Sequence, residues 1–180
     1  MAFQLVKIDS GKNIPLSIKE LYFSSFPEEE RRPWADIEAL TDGNACDFNF
    51  FILQDNLQQI GFMTLWKLPN AIYCEHLAID RAFRGGGFGA QAVALAIDIA
   101  SNAELPLVLE VELPEASDMA RRRIGFYERC GMKALRDFTY IQPPYSPGLP
   151  SVPLMLMASH HIADPTSIAA NLHKYIYNVK

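Results

Sequence analysis

Residues 83 to 91 read FRGGGFGAQ and put four glycines into five positions, Gly85, Gly86, Gly87 and Gly89. Glycine loses more backbone entropy on folding than any other residue, so such a run implies that something must approach the main chain closely. A glycine-rich turn that opens a helix leaves backbone N–H groups unpaired at the positive end of the helix dipole, where phosphate is the natural occupant. Three phosphate-binding designs compete. A Walker A loop needs a lysine and a hydroxyl residue directly after its last glycine, and no lysine follows any glycine of this loop. The relaxed dinucleotide pattern G-x-G-x-x-A fits Gly85, Gly87 and Ala90, with Glu110 at the distance expected of a ribose contact. The third pattern, R-x-x-G-x-G, fits Arg84, Gly87 and Gly89.

The flanking sequence decides which design the chain can build. FQLVKI reads as a first strand, and IPLSIKELYFSSF spaces its apolar residues as a helix does until Pro27. A second short helix is expected after Pro33, a residue suited to a first turn. FNFFILQ and QQIGFMTLWKL form an expected hairpin turning at Asp55-Asn56, and AIYCEHLAI a third strand running into the glycines. GFGAQAVALAIDIASN then reads as a helix covered by a sheet, PLVLEVEL as a buried strand, and SDMARRRIGFYERCGM as a helix capped by Ser117 or Asp118 and stopped at Gly131. KALRDFTYI and VPLMLMA are closing strands around a proline-rich loop, and a last helix enters at Asp164-Pro165 with Ile168, Leu172 and Ile176 on one stripe. Several antiparallel strands therefore precede a single strand, loop, helix, strand unit, whereas a dinucleotide fold needs two βαβαβ halves.

With 180 residues, about half of them apolar, the chain is long enough for one domain. The expectation is a core over residues 1–158 and a C-terminal helical extension over 159–180. A net charge of −5 argues against nucleic acid as a partner. No apolar run reaches the roughly 20 residues of a membrane span, and the first residues lack the pattern of a signal peptide, so a cytoplasmic protein without a membrane partner is expected. Cys46, Cys74 and Cys130 are odd in number and widely spaced, which suggests reduced packing thiols. His160, His161 and His173 form no metal-ligand spacing, and no metal is expected.

R-x-x-G-x-G after LAID, followed about 40 residues later by RIGFYERCGM, resembles the two signatures of the GNAT superfamily of N-acetyltransferases. Two motifs in the right order with a strand between them are far more specific than either alone. The resemblance covers roughly residues 1 to 158. It implies a mixed α+β fold: a central, mostly antiparallel twisted sheet with one parallel splayed pair, flanked by helices. It also implies acetyl-CoA as co-substrate and acetyl transfer to an amine by direct attack in a ternary complex. The rival readings are an NAD(P)-dependent oxidoreductase and a coenzyme A-binding sensor without chemistry.

The family pattern carries residue roles with it. Arg84, Gly85, Gly86, Gly87, Phe88, Gly89 and Ala90 would hold the pyrophosphate. Backbone groups of Leu77 and Ile79 would pair with the pantetheine arm, and a bulge near His76 or Leu77 would splay the strand. An amide near Leu77 would meet the developing oxyanion. The asparagine that the family often places seven residues before its tyrosine is Ala120 here, and Arg123, one turn from Tyr127, is the expected substitute. Tyr127 would give a proton to the leaving thiolate, and Glu75 would act as general base if burial raises its pKa.

Glu110 and Glu112 share one strand face and, with Glu75, suggest an acidic cleft for a cationic amine, either a small molecule or a peptide amine. On a regular strand His76 points away from Glu75 and is read as structural. FPEEERRPW reads as a solvated charge run, with Trp34 and the glutamates Glu28, Glu29 and Glu30 placed where the family lines its acceptor site. The C-terminal helix is expected to cover a sheet edge, a dimer contact being the alternative; monomer and homodimer both remain open.

Overall fold

The computed structural model describes residues 3–43 and 47–179, so Cys46 lies outside the described residues. Strand β1 (Gln4–Ile8) leads into helices α1 (Leu16–Ser25) and α2 (Trp34–Asp42). Strands β2 (Phe48–Asp55), β3 (Gln58–Leu68) and β4 (Ala71–Ile79) follow as a meander. Helix α3 (Phe88–Asn102), β5 (Leu107–Glu112) and helix α4 (Asp118–Arg129) come next. The chain closes with β6 (Lys133–Ala134), β7 (Tyr140–Gln142), β8 (Val152–Ala158) and α5 (Pro165–Tyr175).

One mixed sheet runs β1-β2-β3-β4-β5-β8-β6, with β7 also on β8. Every pairing is antiparallel except β4 with β5. This is the expected α+β architecture. Layering follows from side-chain alternation along the strands and from one apolar stripe per helix. Ile18, Leu21 and Tyr22 of α1, Trp34 and Ile37 of α2, and Ile168 and Leu172 of α5 pack on one face with Phe50, Phe62 and Tyr73. The small residues Ala92, Val93, Ala96 and Ala100 let α3 approach the other face closely, against Met63, Leu65 and Ile72.

Three details depart from the sequence reading. The hairpin turn is Asn56-Leu57, one position later than expected, and both residues take positive φ, 48° and 70°, as a two-residue hairpin turn demands. The strand expected over KALRDFTYI is broken into β6 and β7, which pair with different parts of β8. The C-terminal helix does not cover an edge; its stripe joins the core on the sheet's face, with Leu172 fully buried.

β4 and β5 pair only at Ile72 with Leu107, Tyr73 with Val108 and Cys74 with Leu109. Beyond Cys74 they diverge. On its other side β4 shifts register against β3, so that Thr64 faces His76 and Leu65 faces Cys74, with Glu75 left over as the bulged residue. A bulge bends and twists its strand. Meanwhile β5 stays paired with β8 out to Glu112. The two strands therefore open into a V whose apex lies at Cys74.

Candidate active site

A cavity of about 680 Å³ occupies this V. One end is walled by Phe83 to Gly85, Gly87 to Ala90, Met119, Arg122, Arg123 and Tyr127; the other by Ser24 to Pro27, Glu30, Gln142 and Tyr145. Glu75, Leu77, Ile79, Glu110 and Glu112 line the middle, contributed by the two diverging strands.

At the first end, Asp80 accepts from the Ala82 N–H and closes a short 3-10 turn over Arg81–Phe83. The loop then reaches α3 through Gly85 and Gly87, at φ 83° and 81°. These left-handed conformations are why two of the glycines are there. Gly89 has another reason: a Cβ at that position would come within 3.2 Å of the Phe126 ring. None of the amides of residues 85 to 90 has a backbone or side-chain acceptor among the described residues. Six consecutive amides without a partner thus lead into the N-terminus of α3, an arrangement suited to an anion. The Arg84 side chain folds back so that its Nε donates to the Ile79 carbonyl at 2.9 Å.

The bulge on β4 sets the middle of the site. The Asp80 N–H bonds the Ile60 carbonyl on β3. By alternation, the backbone groups of Leu77 and Ile79 face away from β3, into the V where β5 has departed. The expected bulge is present but lies at Glu75 rather than His76 or Leu77. This has a consequence that period-two alternation cannot supply. Glu75 and His76 fall on the same face, with His76 Nδ1 3.9 Å from Glu75 Oε2, contrary to the expectation that they point apart. His76 packs between Tyr22 and Phe26, and burial holds its pKa down against the pull of Glu75. It is a neutral core residue.

Glu75 does not have the environment of a general base. Its side chain is 0 % exposed and its oxygens are taken: Arg32 donates through Nε at 2.9 Å, Trp66 Nε1 at 2.7 Å and the Tyr145 hydroxyl at 2.9 Å. Burial alone would raise its pKa, but the charge of Arg32 and the hydrogen bonds from Trp66 and Arg32 outweigh it and leave the carboxyl below its ordinary value. Burial thus brings Glu75 a cation rather than the raised pKa the base role required. Arg32 also donates to the Ile176 carbonyl and lies over the rings of Trp66 and Tyr145, which fixes it from four sides.

Glu110 is the contrasting carboxylate. It lines the cavity from β5, accepts from the hydroxyls of Tyr140 and Tyr177, and forms no ion pair among the described residues. Burial raises its pKa to about 7 in spite of hydrogen bonds from Tyr140, Tyr177 and Tyr73, and the charge of Glu75 adds to the rise. Its neighbour on the same face, Glu112, is paired with Arg123 of α4. Burial and the charge of Glu112 raise Glu30 above its ordinary value.

Tyr127 reaches the cavity from α4, with Ser117 capping that helix by accepting the Ala120 N–H at 2.9 Å. Burial pushes its phenol upward, so it is a neutral donor at any ordinary pH. Cys74, at the apex of the V, also lines the cavity, its thiol pushed up to about 12 by burial and by Glu75. Trp34 is misplaced by the sequence reading: it is a core residue packed against Tyr22, its Nε1 donating to Glu38 at 2.7 Å, and it does not line the cavity. Arg32, Tyr145 and Tyr177 were not foreseen. Arg32 is hidden inside a charge run, Tyr145 inside a proline-rich loop, and Tyr177 follows the last helix; none carries a local signal.

With one parallel pairing in the described sheet, the chain lacks the two βαβαβ halves of a dinucleotide fold. No curated protein matches the sequence. Residues 16–132 match the acetyltransferase (GNAT) family. A protein from Bacteroides thetaiotaomicron assigned to that family is 33% identical over 100% of both chains, with a TM-score of 0.84. The fold is shared by a GNAT acetyltransferase from Elizabethkingia anophelis solved with acetyl-CoA bound, 16% identical over 88% of this chain and 98% of that one, with a TM-score of 0.60. It is shared too by a spermidine N-acetyltransferase chimera from Vibrio cholerae, 17% identical over 88% and 96%, with a TM-score of 0.63. Sequence match, sheet topology and the V at the parallel pair agree: the chain belongs to the GNAT acetyltransferase family.

Proposed function

We propose that this chain is an acetyl-CoA-dependent N-acetyltransferase that transfers the acetyl group to a primary amine by direct attack in a ternary complex. The observation that carries the reading is the cavity in the V, with unpaired amides at one mouth, Glu110 and Glu112 along its middle and Glu30 toward the other mouth. The pyrophosphate sits on the amides of residues 85 to 90, with Arg84 beside it and Arg123 at the same mouth. The pantetheine arm runs along β4 as an added strand would, bonding Leu77 and Ile79. The acetyl carbonyl then lies at the bulge, where the Leu77 amide meets the oxyanion. The acetyl-CoA bound in the Elizabethkingia anophelis protein supports this choice of co-substrate.

The amine enters from the end lined by Phe26, Glu30 and Gln142. Neither Glu30 nor Glu110 is ion-paired among the described residues, and Glu112 shares the charge of Arg123. That excess of negative charge favours a cationic amine. The amine nitrogen attacks the thioester carbon, the C–S bond breaks, and the sulfur receives its proton from the Tyr127 hydroxyl. A thiol-release assay with acetyl-CoA and a panel of polyamines, amino acids, aminoglycosides and peptides tests the reading. Amine-dependent release of thiol supports it; binding of acetyl-CoA with no release on any amine contradicts it and indicates a sensor.

A further inference from the structure

Glu75 and Glu110 both line the V, and the surroundings of each assign them different work. Glu75 is saturated by a guanidinium, an indole N–H and a phenol. Glu110 faces the cavity, while the phenols that serve it, Tyr140 of β7 and Tyr177 beyond α5, do not line the cavity and so approach from behind. Tyr177 is in turn within 3.4 Å of the Tyr73 hydroxyl and 3.5 Å of the Tyr145 hydroxyl. It is only 8% exposed. The Arg32 bond to the Ile176 carbonyl pins the backbone beside it.

We propose that Glu110 is the catalytic residue that takes the proton of the incoming ammonium, and that Tyr177, delivered by the C-terminal segment, is the positioning residue that holds its carboxylate toward the amine. The inference rests on the acetyl-transfer reading and deepens it. One proton passes from the ammonium to Glu110, which becomes a carboxylic acid and later releases it to solvent. The freed lone pair forms the N–C bond as the thioester carbonyl opens. Collapse breaks the C–S bond, and the second proton lost from nitrogen balances the one that Tyr127 gives to sulfur. The products are the amide, free coenzyme A and one proton.

The groups facing Glu110 are Tyr140 of β7, Tyr177 of the C-terminal segment, Tyr73 and Glu75 of β4, and Tyr145 of the proline-rich loop, with Arg32 behind Glu75. Glu110 must be ionised to accept a proton, so kcat/KM should rise with pH through about 7. Loss of the Tyr177 donor removes a bond to the ionised form and moves that limb to higher pH.

The test is thiol release over pH with the amine of the panel that turns over fastest, for wild type, Glu110→Gln, Glu75→Gln and Tyr177→Phe, with acetyl-CoA affinity measured by calorimetry in each. Glu110→Gln is expected to lose about two orders of magnitude in kcat and the acidic limb, with acetyl-CoA affinity unchanged. Tyr177→Phe is expected to keep the affinity and shift the limb upward. The proposal is overturned if Glu110→Gln stays within about five-fold of wild type. It is also overturned if the limb vanishes in Glu75→Gln instead, or if Tyr177→Phe lowers kcat equally at every pH. Should Glu110→Gln not fold, the limb of Tyr177→Phe decides alone. If no amine is acetylated by the wild type, the acetyl-transfer reading falls and takes this proposal with it, a result distinct from all the others.

Discussion

Replacing Arg32 by methionine should be among the most damaging single changes in the chain, and the damage should depend on pH. Met keeps much of the side-chain volume but leaves the Glu75 carboxylate, with a 0 % exposed side chain, without its cation. Removing one partner of a buried ion pair costs roughly 3–5 kcal/mol. Trp66 and Tyr145 still donate to the carboxylate, which favours the lower half of that range, whereas the lost bond to the Ile176 carbonyl adds about 1 kcal/mol. A total near 4 kcal/mol corresponds, at about 2–4 °C per kcal/mol for a chain of this size, to a fall in Tm of about 12 °C.

The sign of the pH dependence follows from both proteins. In wild type the folded Glu75 pKa is below its unfolded value, so its stabilisation is present above the unfolded pKa and lost as pH falls through the folded one. In the variant the folded pKa lies above the unfolded value, and stability is lost as pH rises. The difference between the two proteins is therefore largest at neutral pH and shrinks below about pH 4. Urea denaturation at neutral and acid pH reads it, and Arg32→Met with Glu75→Gln should recover more than half of the loss. A neutral-pH deficit under about 1 kcal/mol, or one that is the same in acid, would refute the reasoning.

Three further outcomes follow from the same geometry. Gly87→Val, at φ 81°, adds roughly 1–3 kcal/mol of backbone strain just where α3 begins; acetyl-CoA affinity measured by calorimetry should fall at least about ten-fold while far-ultraviolet circular dichroism is unchanged. Tyr127→Phe should lower kcat by about two orders of magnitude with acetyl-CoA affinity preserved, since only the donated proton is removed. For Glu110 the folded pKa of about 7 exceeds the ordinary carboxylate value, so wild-type stability should decline as pH rises between the two; thermal melts of Glu110→Gln should lack that decline, and the gap in Tm between variant and wild type should widen from pH 5 to pH 8.

Much of the scaffold was legible because local signals and tertiary structure agree in it. Pro33 opens α2, Ser117 caps α4, Gly131 at φ 92° ends it, and Asp164-Pro165 starts α5. The glycine loop was legible as the turn that opens α3, because left-handed backbone at Gly85 and Gly87 and close ring contact at Gly89 leave few other residues to choose. The central pair of carboxylates was not. Strand alternation assigns sides only until a bulge inserts an extra residue, and the bulge at Glu75 is set by the partner strand rather than by the local sequence. Arg32 was read as part of a solvated charge run, and only the fold shows that one of those charges turns inward. Tyr73 and Tyr177 are 104 positions apart, beyond the reach of any periodicity. Nor does the sequence tell the two carboxylates apart: in the fold Glu75 meets an arginine, whereas Glu110 meets phenols.

The central claim concerns where the co-substrate lies relative to these groups. A crystal structure of the chain with coenzyme A should place the pyrophosphate on the amides of residues 85 to 90 and the thiol between the β4 bulge and the Tyr127 hydroxyl, with Glu110 across the V. A pyrophosphate bound away from that loop, or a thiol beyond reach of Tyr127, would contradict the account.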